Sequence, residues 1–141
     1  MEALCRQEIV ELHQFFQGWY RGELGETDVQ FARFSRVLAD DFTMITPTGS
    51  LNRRDAILQM VRQGFGSWQE RNGRIWIENI VARWKDEGHC LLTYEEWQEI
   101  DDHITARLST ALFHSYYDAT HDAQAVRWVH LHETWLPTGE A

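Results

Sequence analysis

The sequence predicts an α+β fold: a cone-shaped, curved antiparallel sheet packed on three N-terminal helices. Apolar residues recur at helical spacing through the first half, and at a spacing of two from Arg74 onward. Helices and strands segregated in this way along one chain gather the helices on one face of an antiparallel sheet. The length of 141 residues suits one domain able to bury a core, so residues 1–141 are read as a single domain.

Each element has a local cause. Cys5, Ile9, Leu12, Phe16 and Trp19 form one apolar stripe, and Gly22 and Gly25 end that first helix. Thr27 and Gln30 have capping-box spacing. They open a second helix that buries Phe31, Phe34 and Leu38 and runs out at Asp40 and Asp41. Phe42 to Thr46 is β-branched and apolar, which reads as a short strand turned by Pro47-Thr48-Gly49. Asn52 is expected to cap a third helix carrying Ile57, Leu58, Val61 and Phe65, closed by Gly64 and Gly66. Four strands follow at about 74–84, 89–100, 103–116 and 125–136. Gly88 is expected to supply a positive φ in the turn from Asp86. Asp101-Asp102 reads as a two-residue hairpin loop, because Asp tolerates the left-handed region.

Charge and motifs exclude several function classes. Thirteen basic against 22 acidic residues leave −9 at pH 7, so the basic face needed for nucleic acid or anionic membranes is not expected. Met1 to Arg6 lacks the pattern of a secretory leader, and no apolar run approaches the roughly 20 residues that span a bilayer. A cytoplasmic location follows. Cys5 and Cys90 stand outside any metal or redox motif and read as reduced, buried thiols. Glycine-rich phosphate loops and G-x-S-x-G elbows are missing, so no cofactor and no serine nucleophile are expected.

The order of elements resembles the nuclear transport factor 2-like superfamily, including its SnoaL-like domains. Asp41-Phe42-Thr43-Met44-Ile45-Thr46-Pro47-Thr48-Gly49 resembles the segment before that family's third helix. Trp128-Val129-His130-Leu131-His132-Glu133-Thr134-Trp135 resembles the final strand of its domain-of-unknown-function branch and the end of the calcium/calmodulin-dependent kinase II association domain. The resemblance implies a curved sheet wrapped round helices, often with an open cavity. Isomerases, dehydratases, ligand-binding proteins and purely associative domains share that fold, so it does not imply one function. The kinase association domain has a pocket Arg after its His-x-His phrase, where this chain has Glu133.

Strand register yields the candidate site. A loop at Asp101-Asp102 places Glu96 opposite Arg107 and Tyr94 opposite Ser109. The register implied by the resemblance brings Glu133 beside Arg107, and a three-residue turn at Asp86–Gly88 brings Glu78 beside Glu96. One face then carries Glu78, Glu96, Arg107 and Glu133, ringed by Trp76, Ile80, Tyr94, Ser109, Ala111, Val129 and Leu131. Trp19 and Tyr20, with Met60 and Phe65, are expected at the cavity mouth. Glu96, Arg107 and Glu133 are the catalytic candidates. Arg107 can hold one carboxylate while burial and repulsion raise the pKa of another, as acid/base chemistry requires. The alternative is a cross-strand salt bridge that fixes register.

His130 and His132 share a strand face and could share a metal, but they lack a convergent third ligand, so no metal is expected. They are placed on the convex face with Trp97, Leu112 and Trp128. A one-residue slip would turn them inward with Glu95 and Trp97. The apolar alternation Trp97, Leu108, Leu112 and Trp128 points to a homodimer through the sheet. A small, partly apolar ligand, with or without acid/base turnover, is the leading function. An associative module with a filled cavity is the rival, and a cavity well below roughly 300 Å³ would count against catalysis.

Overall fold

The computed structural model describes residues 1–138. Its helices are α1 (Glu2–Tyr20), α2 (Asp28–Ser35) and α3 (Arg54–Gln63). Its strands are β1 (Leu38–Ile45), β2 (Leu51–Arg53), β3 (Arg74–Lys85), β4 (His89–Ile100), β5 (His103–Asp118) and β6 (Ala123–Leu136). The strands form one curved, unclosed sheet in the order β2-β1-β6-β5-β4-β3. All neighbours pair antiparallel except β1 and β6, so the sheet is mixed rather than purely antiparallel. Cys5, Ile9, Leu12 and Trp19 of α1 pack into a core with Leu92, Tyr94, Ala111, Phe113 and Trp128 of the sheet. No helix among the described residues is long and apolar enough to cross a membrane.

The expected α2 is too long and the expected β1 too short. Thr27 Oγ1 accepts from Gln30 N at 3.2 Å, the cap its sequence implies. The helix ends at Ser35, and Leu38 already lies in β1. The cause is tertiary: Trp128 N donates to Val37 O at 2.7 Å, drawing the backbone into a parallel ladder with β6. Asn52 does not cap α3. It pairs with Met44 inside β2, a strand unforeseen in the sequence, and the N-cap position falls to Arg53. Gly64 closes α3 as expected. A Cβ there would stand 2.6 Å from the Tyr20 ring, so only glycine lets Tyr20 pack this closely.

The hairpin at Asp101-Asp102 has φ of 52° and 64°, and the whole β4–β5 register follows from it as expected. Gly88, in contrast, does not adopt a positive φ. That turn is closed by the Asp86 carboxylate, whose Oδ1 accepts from Gly88 N at 2.9 Å and His89 N at 2.7 Å.

Two bulges reassign faces. The expected β3–β4 register holds at Ala82↔Leu92 and Val81↔Thr93, then slips by one residue before Glu78. Asn79, at φ 56°, lies in that bulge. Glu78 therefore pairs with Glu95, and Trp76 with Trp97. Both face outward, away from Glu96, because a one-residue slip turns every later side chain over. The second slip lies between Leu112 and Phe113 in β5–β6, where β6 gains an extra residue at Val129. It brings Trp128, expected on the convex face, into the core at 1% exposure, with its ring 4.4 Å from that of Phe113.

Candidate functional site

Inward positions on three adjacent strands define the floor of the cone. Tyr94, Glu96 and Gln98 alternate along β4, Arg107 and Ser109 along β5, and Leu131 and Glu133 along β6. A cavity of about 130 Å³ stands over them. Phe16 and Tyr20 of α1, Phe34 of α2, Phe42 and Met44 of β1, and Met60 of α3 complete its wall. That volume lies well below the roughly 300 Å³ of ordinary small-molecule sites. By the criterion set from the sequence, it counts against catalysis in this cavity.

Four ionisable side chains meet at the floor. Arg107 Nη1 donates to Glu133 Oε1 at 3.1 Å, and Arg107 Nε lies 3.9 Å from Glu96 Oε2. Gln98 Nε2 donates to Glu96 Oε2 at 2.6 Å, and Ser109 Oγ reaches Glu133 Oε2 at 3.4 Å. The fourth member is His13 of α1, 3% exposed, with Nε2 3.0 Å from Glu96 Oε1. His13 Nδ1 meets the Ile9 carbonyl at 2.6 Å. A carbonyl can only accept, so Nδ1 carries a hydrogen, and a proton is shared between Nε2 and Glu96.

The environment separates the two carboxyls. Burial alone would push Glu96 up, but the charge and hydrogen bond of His13, then Arg107 and Gln98, reverse this and hold it at about 2. Burial pushes Glu133 up to about 7; repulsion from Glu96 adds to this, and Arg107 offsets part of it. Burial disfavours the His13 imidazolium, yet the Glu96 charge and hydrogen bond raise its pKa above the ordinary value. Burial, with Glu133 and Glu96 nearby, also raises the Tyr94 phenol well above its usual range. The arrangement thus combines a fixed anion, two cations and one carboxyl that exchanges a proton near neutrality.

The structure brings Glu96, Arg107, Glu133, Tyr94, Ser109, Leu131, Tyr20 and Met60 to this cavity or its floor, with Met60 half-exposed at the mouth. It does not bring Glu78, Trp76 or Trp19. Glu78 is exposed on the outer face, and Trp76 stacks on Trp97 there. Trp19 is fully buried behind the wall, donating to Val61 O at 2.8 Å. His13 and Gln98 were missed. His13 lies four residues after Ile9 and three before Phe16, on the buried face of α1, and that spacing was the available signal. Gln98 lies two residues beyond Glu96 on the same strand face. His130 Nδ1 bonds Thr43 Oγ1 at 2.8 Å, and His132 is exposed. Among the described residues no three His, Cys, Asp or Glu side chains converge on a metal position.

A family model, sucrose-6-phosphate phosphohydrolase C-terminal, matches residues 5–137. The chain belongs to this family. It is 24% identical over 129 residues to sucrose-phosphatase 1 of Nicotiana tabacum, covering 92% of this chain and 30% of that protein. The chain thus spans about a third of the length of the curated relatives it matches. Among solved structures, an NTF2-like protein of unknown function from Pseudomonas aeruginosa superposes with TM-score 0.81 at 25% identity, covering 95% and 99% of the two chains. The hub homology domain of the Chlamydomonas reinhardtii calcium/calmodulin-dependent kinase II superposes with TM-score 0.68 at 10% identity, covering 96% and 98%. The fold is that of the nuclear transport factor 2-like superfamily, as the local phrases suggested.

Two measurements test this floor. His13→Leu leaves Glu96 buried without its main partner and should cost about 3–5 kcal/mol by chemical denaturation. The double variant His13→Leu/Glu96→Leu should recover most of that loss. Glu133 sets a pH dependence. Its carboxyl releases a proton near 4.5 when unfolded and near 7 when folded, so stability is retained below 4.5 and falls as pH rises to 7. In Glu133→Gln that fall, roughly 3 kcal/mol at 1.36 kcal/mol per pKa unit, should vanish from the difference between pH 4.5 and pH 8.

Proposed function

We propose that the domain binds one compact, partly apolar organic molecule inside the cone, and that the floor recognises it. The carrying observation is the placement of Glu96, Arg107 and Glu133 at the base of a cavity whose other walls are mainly aromatic and aliphatic. A salt bridge that only set strand register would gain nothing from an open space above it. In this reading Arg107 and Glu133 orient the ligand, Glu96 and His13 hold them in place, and Tyr94, Ser109 and Leu131 shape the base. Glu133 is the group able to exchange a proton with a bound molecule, which keeps isomerase- or dehydratase-like chemistry within reach of the site. The free, buried thiols Cys5 and Cys90 accord with a cytoplasmic setting.

A second reading concerns association. Leu108, 38% exposed, shares the outer sheet face with half-buried Trp76, Trp97 and Leu112, and no helix among the described residues covers that face. Likeness to the kinase hub homology domain is compatible with self-association, which this reading places at this face as a homodimer. Ligand binding inside the cone and pairing outside it are compatible.

Screening a fragment library by ligand-observed NMR tests the first reading. Glu133→Gln should weaken the hits about tenfold or more without lowering the melting temperature. Unchanged hits together with a large loss of stability would reduce the cluster to a salt bridge. For the second reading, sedimentation should give a dimer for the parent chain at micromolar concentration and a monomer for Leu108→Glu.

A further inference from the structure

The charges in the cavity are already matched. Glu96 is paired with His13 and Glu133 with Arg107, so each ionised group has a counter-charge within reach. Hydrogen-bonding capacity is not matched. Arg107 Nε is buried and has no hydrogen-bond partner among the described residues; its 3.9 Å separation from Glu96 Oε2 is too long for one. Tyr94 Oη, in a side chain that is 0% exposed, is likewise buried without a partner of good hydrogen-bond geometry; the Ser109 hydroxyl is its nearest polar neighbour. Its cross-strand neighbour Ser109 directs its hydroxyl to Glu133. Arg107 lies two residues from Ser109 on β5, diagonal to Tyr94, and both line the cavity. Two buried groups left without partners are costly unless something in the cavity meets them.

The remaining wall limits what that occupant can be. Apart from the Tyr20 phenol and the Gln98 amide, that wall is apolar: Phe16, Phe34, Phe42, Met44 and Leu131 offer no side-chain hydrogen bonds of ordinary strength. A polyol would leave most of its hydroxyls unsatisfied against them. A carboxylate would set a third negative group beside Glu96 and Glu133. A volume of about 130 Å³ excludes a disaccharide. Building on the ligand-binding reading above, we propose that the cavity receives a neutral molecule with one oxygen acceptor on a compact apolar skeleton, its oxygen held by Tyr94 Oη and Arg107 Nε. Such an oxygen takes over the bonds that solvent would otherwise make there, and its skeleton fills the aromatic cone.

The test titrates the parent chain at pH 8 with three probes, cyclohexanone, cyclohexanecarboxylate and sucrose, and follows binding by ligand-observed NMR and calorimetry. Cyclohexanone should bind with a millimolar or tighter constant, at least about tenfold more tightly than the carboxylate, and sucrose should not bind. Tyr94→Phe should weaken cyclohexanone about tenfold, the worth of one hydrogen bond. The same variant should melt within a degree or two of the parent, because Ser109, the hydroxyl's nearest polar neighbour, keeps its bond to Glu133. Tighter binding of cyclohexanecarboxylate or sucrose would overturn the ligand class and leave the cavity-binding reading standing. Binding of none of the three would overturn both. A loss of several degrees in Tyr94→Phe, or an unchanged cyclohexanone constant, would show that the hydroxyl is engaged elsewhere and would also overturn the proposal.

Discussion

The contact between His13 and Glu96 is the constraint on which the rest of the molecule depends. A carboxylate with 6% exposure cannot remain charged in an aromatic core without a partner. Among the described residues the helical group that reaches it is His13, whose ring is fixed by the Ile9 carbonyl one turn earlier. α1 is thereby tied to the middle of β4 by a charged hydrogen bond as well as by apolar packing. With Glu96 neutralised from the helix side, Arg107 is free to pair with Glu133. The floor therefore carries the Glu96–His13 ion pair on one side and, on the other, Arg107 beside the Glu133 carboxyl, whose pKa burial raises to about 7.

The bulges give the cone its inside and outside. Strict pairing would have lined one face of the sheet with Glu78, Glu96, Arg107 and Glu133 and sent Trp128 outward. One extra residue in β3 and one in β6 undo both placements. Glu78 is sent to solvent, which spares the interior a third carboxylate. Trp128 goes to the core, where its ring packs on Phe113 and its Nε1 donates to Glu8 Oε2 at 3.0 Å. Glu8 also accepts from both terminal nitrogens of Arg33, so one carboxylate joins α1, α2 and β6. The seven Trp, seven Phe and four Tyr of the chain thus serve chiefly in the core, the cavity wall and an outer tryptophan stack.

Family membership and cavity chemistry address different questions. The sucrose-6-phosphate phosphohydrolase C-terminal family names a module that forms about a third of its curated relatives. The cavity is small, mostly apolar and charged only at its floor. The fold is shared by enzymes and hub domains alike, so the side chains of the floor carry the functional argument.

What the sequence determined by itself was local or one step removed from local. The period change at Arg74 established the fold class. The Asp101-Asp102 loop set the whole β4–β5 register, and with it the pairing of Glu96 with Arg107, because a two-residue turn leaves no freedom in what faces what. Glu133 could be placed beside Arg107 only through family likeness. The tertiary structure alone decided the rest. A bulge leaves no mark on a period-two pattern until the partner strand is known, so Glu78, Trp76 and Trp128 were assigned to the wrong faces. His13 shows its helical face in the sequence but not its partner, since Glu96 lies 83 residues away and meets it only when α1 packs on the sheet. Burial, which raises Glu133 and orphans Tyr94 Oη, exists only once the cone has closed over both.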